Sequence, residues 1–181
     1  LILSGGAAIA DSAELIVSGP GVLQVDTAET VGSLDGSGNI TLNATLTSGQ
    51  AGLATAETGD ISGSGGLTLE GTGWLTLSGN NTYAGLTTVE SGALLTAASN
   101  TALGSTAEGT VVEAGGTLEL TGGITTAEAI TLNGTGEGAG GALRSASGAN
   151  TVTGAVTLAS DATIRTEADL LTLSGGITGT N

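Results

Sequence analysis

One five-residue unit, apolar-x-apolar-x-Gly, recurs along the chain and restricts what it can fold into. It stands at Leu1–Gly5, Leu15–Gly19, Leu67–Gly71, Leu75–Gly79, Leu118–Gly122, Ile130–Gly134 and Leu171–Gly175. Ile40–Ala44 and Val156–Ser160 keep the alternation and lose the glycine. A period of two belongs to a strand, whose successive side chains point to opposite faces. The two apolar residues of each unit therefore point inward, the middle residue outward, and the glycine supplies the backbone freedom to turn the chain. Leu75 and Leu77 are expected inside, with Thr76 and Trp74 outside. No segment carries ten residues of 3.6-residue periodicity, so the connections are turns and loops, and βαβ architectures are excluded.

Strands this short bury an apolar face only by stacking on copies of themselves. Thr88-Val89-Glu90-Ser91-Gly92-Ala93 aligns with Val111-Val112-Glu113-Ala114-Gly115-Gly116, an offset of 23 (111 minus 88). A period in the twenties characterises a solenoid. Trp74–Leu95 reads as one full winding: a strand at Leu75–Leu77, a polar corner at Asn80–Tyr83, a strand at Thr87–Val89 and a third strand beginning at Leu94. The fold expected is all-β, a single-stranded parallel β-helix of roughly eight rungs, each of about 20–23 residues, forming a rod about 40 Å long. Spacing between units varies, with Leu67 and Leu75 only 8 positions apart, so some units occupy different faces of one rung. Ser48–Asp60 and Gly134–Gly141 are the irregular stretches and the candidates for protruding loops. Residues 1–181 read as a single segment without a domain boundary. The chain opens on Leu1-Ile2-Leu3, which looks like mid-strand, and is expected to belong to a longer repeat protein.

Composition narrows the core and the partners. Thirty-four glycines accompany one Trp, one Tyr and one Pro, with no Phe, Met, Cys or His. The interior must then be built from Leu, Ile, Val, Ala and Thr, which suits a narrow coil. A mean hydropathy of +0.34 and only 10% charged residues argue against disorder. Collagen is excluded because glycine does not fall at every third position. Seventeen carboxylates against Arg144 and Arg165 give a net charge of −15, which opposes binding of nucleic acid or an anionic membrane. The acids are scattered singly and read as solvating a repetitive surface. Absence of Cys fits an exported protein and many cytosolic ones alike. No signal peptide and no run of ~18 apolar residues is visible, and the strands are too short for a transmembrane barrel, which needs ~9–11 residues per span.

Candidate sites fail on chemistry. Gly136-Glu137-Gly138-Ala139-Gly140-Gly141 satisfies G-x-G-x-x-G, but a strand at Ala142–Ser145 follows it where a dinucleotide site needs a helix. Asp60-Ile61-Ser62-Gly63-Ser64-Gly65-Gly66 has the glycines of a calcium-binding roll with the acid on the wrong side and no second copy. Without His, Cys or Lys there is no Ser-His-Asp triad, no thiol nucleophile and no His-based metal site. A glycosidase carboxylate pair needs acids gathered in one groove, usually with aromatic platforms, and only two aromatics exist. Trp74 is expected under a loop or packed along the rod; Tyr83 fills a corner beside Leu86; Asn80 and Asn81 form a side-chain ladder or a left-handed turn; Arg144 and Arg165 are lone outward positions. Sequons at Asn39, Asn43, Asn80 and Asn133 are expected from the abundance of Thr and imply no glycan. No catalytic, cofactor-binding or metal-binding residue is assigned, and no enzymatic activity or cofactor is expected.

The run from Gly65-Gly66-Leu67-Thr68-Leu69-Glu70-Gly71 through Leu75-Thr76-Leu77-Ser78-Gly79-Asn80-Asn81-Thr82-Tyr83-Ala84-Gly85-Leu86-Thr87-Thr88-Val89-Glu90-Ser91-Gly92-Ala93-Leu94 closely resembles the passenger-associated transport repeat of bacterial autotransporters. That pattern is approximately G-x-L-x-L-x-G-x-N-x-Y-x-G-x-T-x-V-x-x-G-x-L, and Leu86 departs from it. The match is specific over Gly65–Leu94 and looser to Leu120; Ile124–Asn181 looks like the same class of large surface proteins, adhesins of the filamentous-haemagglutinin-like kind. The resemblance implies a right-handed coil, export across the outer membrane to the cell surface or medium, and a role as stalk or adhesin. It supplies no catalytic residues, and the translocator barrel of such proteins is not in this sequence.

The function expected is therefore a structural or adhesive segment of an exported bacterial surface protein. Its partners would be neighbouring rungs, further copies assembled end to end into a filament, or surface glycans. The alternatives are a polysaccharide- or ice-binding module and, last, a polysaccharide-cleaving enzyme. Outward Thr76, Thr131, Thr157 and Thr172 suggest the ice-binding reading, and their irregular spacing opposes it.

Overall fold

A computed structural model describes residues 1–179 as a parallel β-solenoid of about eight turns, about 21 residues to the turn. Each turn runs over three faces. The first face stacks eight strands: Glu14–Val17, Ser33–Gly36, Ala54–Glu57, Trp74–Leu77, Leu94–Ala97, Thr117–Thr121, Leu143–Ser147 and Ile164–Thr166. The third face stacks another eight, from Glu29–Thr30 through Leu67–Leu69, Thr87–Val89 and Thr110–Val112 to Ile177–Gly179. The second face is split into two short sheets. Ile2–Leu3, Val22–Val25, Asn39–Leu42 and Ile61–Gly63 form one, and Thr125–Thr126, Asn150–Val152 and Leu171–Leu173 the other.

Every strand pairing is parallel, as coiling in one direction requires. The 23-residue offset appears as real register, with Thr88 opposite Val111 and Val89 opposite Val112. Other steps run from 17 residues (Glu29 to Leu46) to 28 (Gly134 to Ala162). Corners absorb most of the difference, and bulges after Leu120 and Leu132 absorb the remainder.

Alternation dictates the core. Leu67, Leu69, Leu75, Leu77, Leu118, Leu120, Ile130 and Leu132 are buried, as the repeat unit predicts, and Ile16, between buried Leu15 and Val17, is 56% exposed. One apolar cluster extends from Leu3 to Val156. At roughly 1.5–3 kcal/mol per fully buried aliphatic side chain, this stacked column is the main stabilising term.

Two expectations need correction. Leu94 lies directly opposite Trp74 in register, so it opens the next turn on the same face. The turn that starts at Trp74 has two strands, and its middle side, around Asn80–Tyr83, is not a strand. Of the two irregular stretches, Ser48–Asp60 contains the first-face strand Ala54–Glu57. Gly134–Gly141 carries the helical content of the described residues, a single 3-10 turn at Glu137–Ala139. Its Glu137 amide donates to Thr117 Oγ1 at 2.9 Å, and Thr117 Oγ1 donates to the Gly141 carbonyl at 2.9 Å. The G-x-G-x-x-G run is thus folded down onto the rod and leads into the strand Leu143–Ser147. Among the described residues no helix is long and apolar enough to cross a membrane.

Candidate functional site: the interrupted face

The second face breaks between Ile61–Gly63 and Thr125–Thr126, where two turns cross without a strand. A break leaves backbone donors and acceptors of the adjoining turns facing the interior, where each unpaired group costs about 1–3 kcal/mol. Part of the demand is met by backbone: the Thr82 amide donates to Ile61 O at 2.7 Å, Ala84 to Gly63 O at 2.9 Å and Ser105 to Tyr83 O at 2.9 Å. Side chains meet a further part, Asn100 Oδ1 accepting from the Thr125 amide at 2.8 Å and Asn81 doing the most. Its Oδ1 accepts from the Ile61 amide below at 2.9 Å, and its Nδ2 donates to the Ala102 carbonyl above at 2.7 Å. One side chain therefore joins three successive turns.

Asn81 reaches the interior because the two-residue alternation does not stop at the glycine corner. Gly73, Leu75, Leu77, Gly79, Asn81, Tyr83, Thr87 and Val89 are all buried, while Trp74, Ser78, Asn80 and Thr82 are exposed. Tyr83 is consequently a core residue, 0% exposed, and not a corner filler. Its hydroxyl shares a 2.7 Å hydrogen bond with Thr87 Oγ1, and burial pushes its pKa well above the usual phenol range. Asn80 and Asn81 have separate roles: neither takes a left-handed conformation, Asn80 is exposed, and its amide donates to Asp60 Oδ1 at 2.8 Å. Asn81 has no asparagine above or below it, so it is a bridge rather than one step of a ladder of identical side chains.

The same solution recurs in the upper half of the rod. Buried Asn150 accepts from the Gly123 and Ile124 amides at 3.0 and 2.9 Å, and its Nδ2 donates to Leu120 O at 3.2 Å and Ser145 Oγ at 2.9 Å. Near the lower end, buried Glu29 accepts from the Ala8 and Ile9 amides at 2.9 and 2.6 Å.

Three acids depart from the expectation of a solvated surface: Glu29, Glu57 and Glu128 are buried, with Glu57 0% and Glu128 2% exposed. Glu57 takes an inward first-face position between Gly36 and Leu77. Its Oε1 accepts from the Gly59 amide at 2.8 Å, and its Oε2 has no partner. Burial raises its pKa to about 7, with the Asp35 carboxylate adding to the effect and the Gly59 hydrogen bond opposing it. Glu128, reached by Thr110 Oγ1 at 3.4 Å, is also raised to about 7 by burial. Neither carboxyl has a cation beside it. The two arginines, expected to be lone, instead stack in register with each other on the outer surface. Arg144 Nε donates to Glu119 Oε2 at 2.8 Å, and Arg165 pairs with Glu167 at 3.3 Å.

Trp74 points outward as alternation requires and is 51% exposed, so no loop covers it; it lies along the rod beside Gly52, Ala54 and Thr72. Among the described residues no three His, Cys, Asp or Glu side chains converge as metal ligands. The arrangement holds backbone together between turns. Compared with known proteins, the chain matches no family model, no curated protein and no solved structure.

Two outcomes follow. Asn81→Ala orphans the Ile61 amide and the Ala102 carbonyl and is expected to cost about 2–4 kcal/mol in urea denaturation, against under about 0.5 kcal/mol for exposed Asn80→Ala. Because Glu57 and Glu128 hold protons in the folded state that the unfolded chain releases near 4.5, stability is greatest below that value. It falls as pH rises from about 4.5 to about 7 and then levels. At ~1.4 kcal/mol per pKa unit the loss is at most on the order of 3–4 kcal/mol for each group. Denaturation midpoints measured across that range should drop for the parent chain and drop less steeply for Glu57→Gln.

Proposed function

We propose that the chain is a non-enzymatic, structural segment of an exported bacterial surface or extracellular protein, of the autotransporter passenger kind, serving as a stalk or adhesive shaft. One observation carries the reading. The two residues by which the sequence most closely resembles a passenger-associated repeat are spent on the rod itself, Asn81 joining turns and Tyr83 filling the core beneath the interrupted face. Residues used in this way belong to a rod whose product is length and shape. The surface supports a solvent-facing role: a net charge of −15 keeps long rods apart and discourages edge-to-edge association. End-to-end filament formation is a further use to which such a rod lends itself.

The direct test is immunolabelling of intact source cells and their medium with antibodies raised against the purified chain. The reading expects labelling without permeabilisation, or protein in the medium. Signal obtained only after permeabilisation would contradict it.

A further inference from the structure

The third face carries an ordered row that the sequence conceals. Its single outward strand position holds Thr30, Thr47, Thr68 and Thr88 in consecutive register, then Val111, then Thr131, Thr157 and Thr178. In sequence these threonines are 17 to 26 residues apart wherever the row is unbroken, and the corners remove the irregularity, leaving one hydroxyl per turn at ~4.8 Å. Of the threonines suggested by the sequence, Thr131 and Thr157 belong to this row, whereas Thr76 and Thr172 lie on the other two faces. Thr157 and Thr178 share a 3.4 Å contact. Elsewhere on the rod threonine hydroxyls are consumed by the protein, as in Thr58 to Gly36 O and Thr96 to Glu119. Thr30, Thr47, Thr68, Thr88 and Thr131 make no such bond among the described residues, so each keeps a donor and two acceptor sites for something outside.

A groove of about 630 Å³ runs beside this row over four turns, from Asn43 past Ser64 and Leu86 to Glu108, with Thr68 and Thr88 on one wall. Three turn-to-turn steps make it about 14 Å long. Its floor is bare for a structural reason: a Cβ on Gly65 would stand 2.1 Å from the Ala44 carbonyl oxygen, and one on Gly85 would stand 2.4 Å from Gly65. Tight stacking of the corner thus excludes side chains where the groove lies.

Charge excludes anionic occupants, and the free hydroxyls select among the others. Glu70, Glu90 and Glu113 follow the strands one above another on the far side of the row, and Glu108 closes the groove. Nucleic acid and acidic polysaccharides are repelled by such a surface. Free hydroxyls at regular spacing, with the 41%-exposed Leu86 as an apolar contact, suit a chain that is itself neutral, extended and rich in hydroxyls. We propose that the groove and the Thr68–Thr88 wall bind a neutral linear glycan lying parallel to the rod axis. A planar lattice such as ice suits this face less, because the groove and Leu86 break its plane. The proposal deepens the adhesive form of the surface reading, and its test uses the purified chain, so either can fail alone.

The test is NMR titration of the isotopically labelled protein with cello-, manno- and xylo-oligosaccharides. At least one is expected to shift the amides of Gly65, Thr68, Leu86 and Thr88. Thr68→Val with Thr88→Val, which preserves shape and strand preference, should weaken that binding by about tenfold while leaving the denaturation midpoint unchanged. Thr76→Val on the first face should leave binding intact. No shift with any of the three sugars, shifts elsewhere on the rod, or binding undiminished in the double variant would each overturn the proposal. Inhibition of ice growth that the double variant loses, without sugar-induced shifts, would overturn it in favour of ordered water.

Discussion

Hydrogen bonding along the rod axis is the constraint on which the rest of this structure depends. Apart from tight corners such as Gly21 to Ser18 and Ala93 to Glu90, the amides and carbonyls of a turn of about 21 residues find their partners in the turns above and below. Wherever strand meets strand this is automatic. Where it is not, side chains supply part of the missing ladder, and three interior polar residues do so: Glu29 above the first turn, Asn81 across the break, Asn150 above it. Their burial would be a liability in an ordinary core. Here each is retained because the alternative is several unpaired backbone groups.

The same constraint explains the composition. Neighbouring turns approach to the spacing of paired strands, so corners admit only residues whose side chains do not enter that space, and glycine accumulates there. A coil this narrow leaves room for Leu, Ile and Val stacked in columns and for one tyrosine, placed where the missing strand gives it space. Glu57 has no comparable purpose: its Oε2 is unpartnered and it replaces a leucine-type position between Gly36 and Leu77. The consequence is a rod whose middle turns gain protons on folding, a coupling that a leucine there would abolish.

Much of the architecture was legible in the sequence because the alternation that builds strands also sorts inside from outside. Leu75, Leu77, Thr76 and Trp74 all lie on the sides that alternation assigns. The 23-residue offset from Thr88 to Val111 is true register. The errors arose where the alternation was thought to stop. Carried through Gly79, it would have placed Asn81 and Tyr83 inside and Asn80 outside, and the polar corner would have been recognised as the side of a turn that lacks a strand. Buried Glu128 and Glu57 were less accessible, since an isolated acid in a Thr-rich context looks like any solvated one. The threonine row was hidden for a geometric reason: corners of unequal length scatter in sequence what the strands align in space.

Side chains complete the axial hydrogen-bond ladder where a strand is missing, and amide hydrogen exchange on the unmodified protein measures that completion directly. The Ile61 amide, whose acceptor is the Asn81 side chain, is compared with the Leu67 amide of the same turn, which donates to the Leu86 carbonyl of the next. The account expects comparable protection at the two positions, both well above that of exposed corner amides. Exchange at Ile61 as fast as at an exposed corner, with Leu67 still protected, would contradict it.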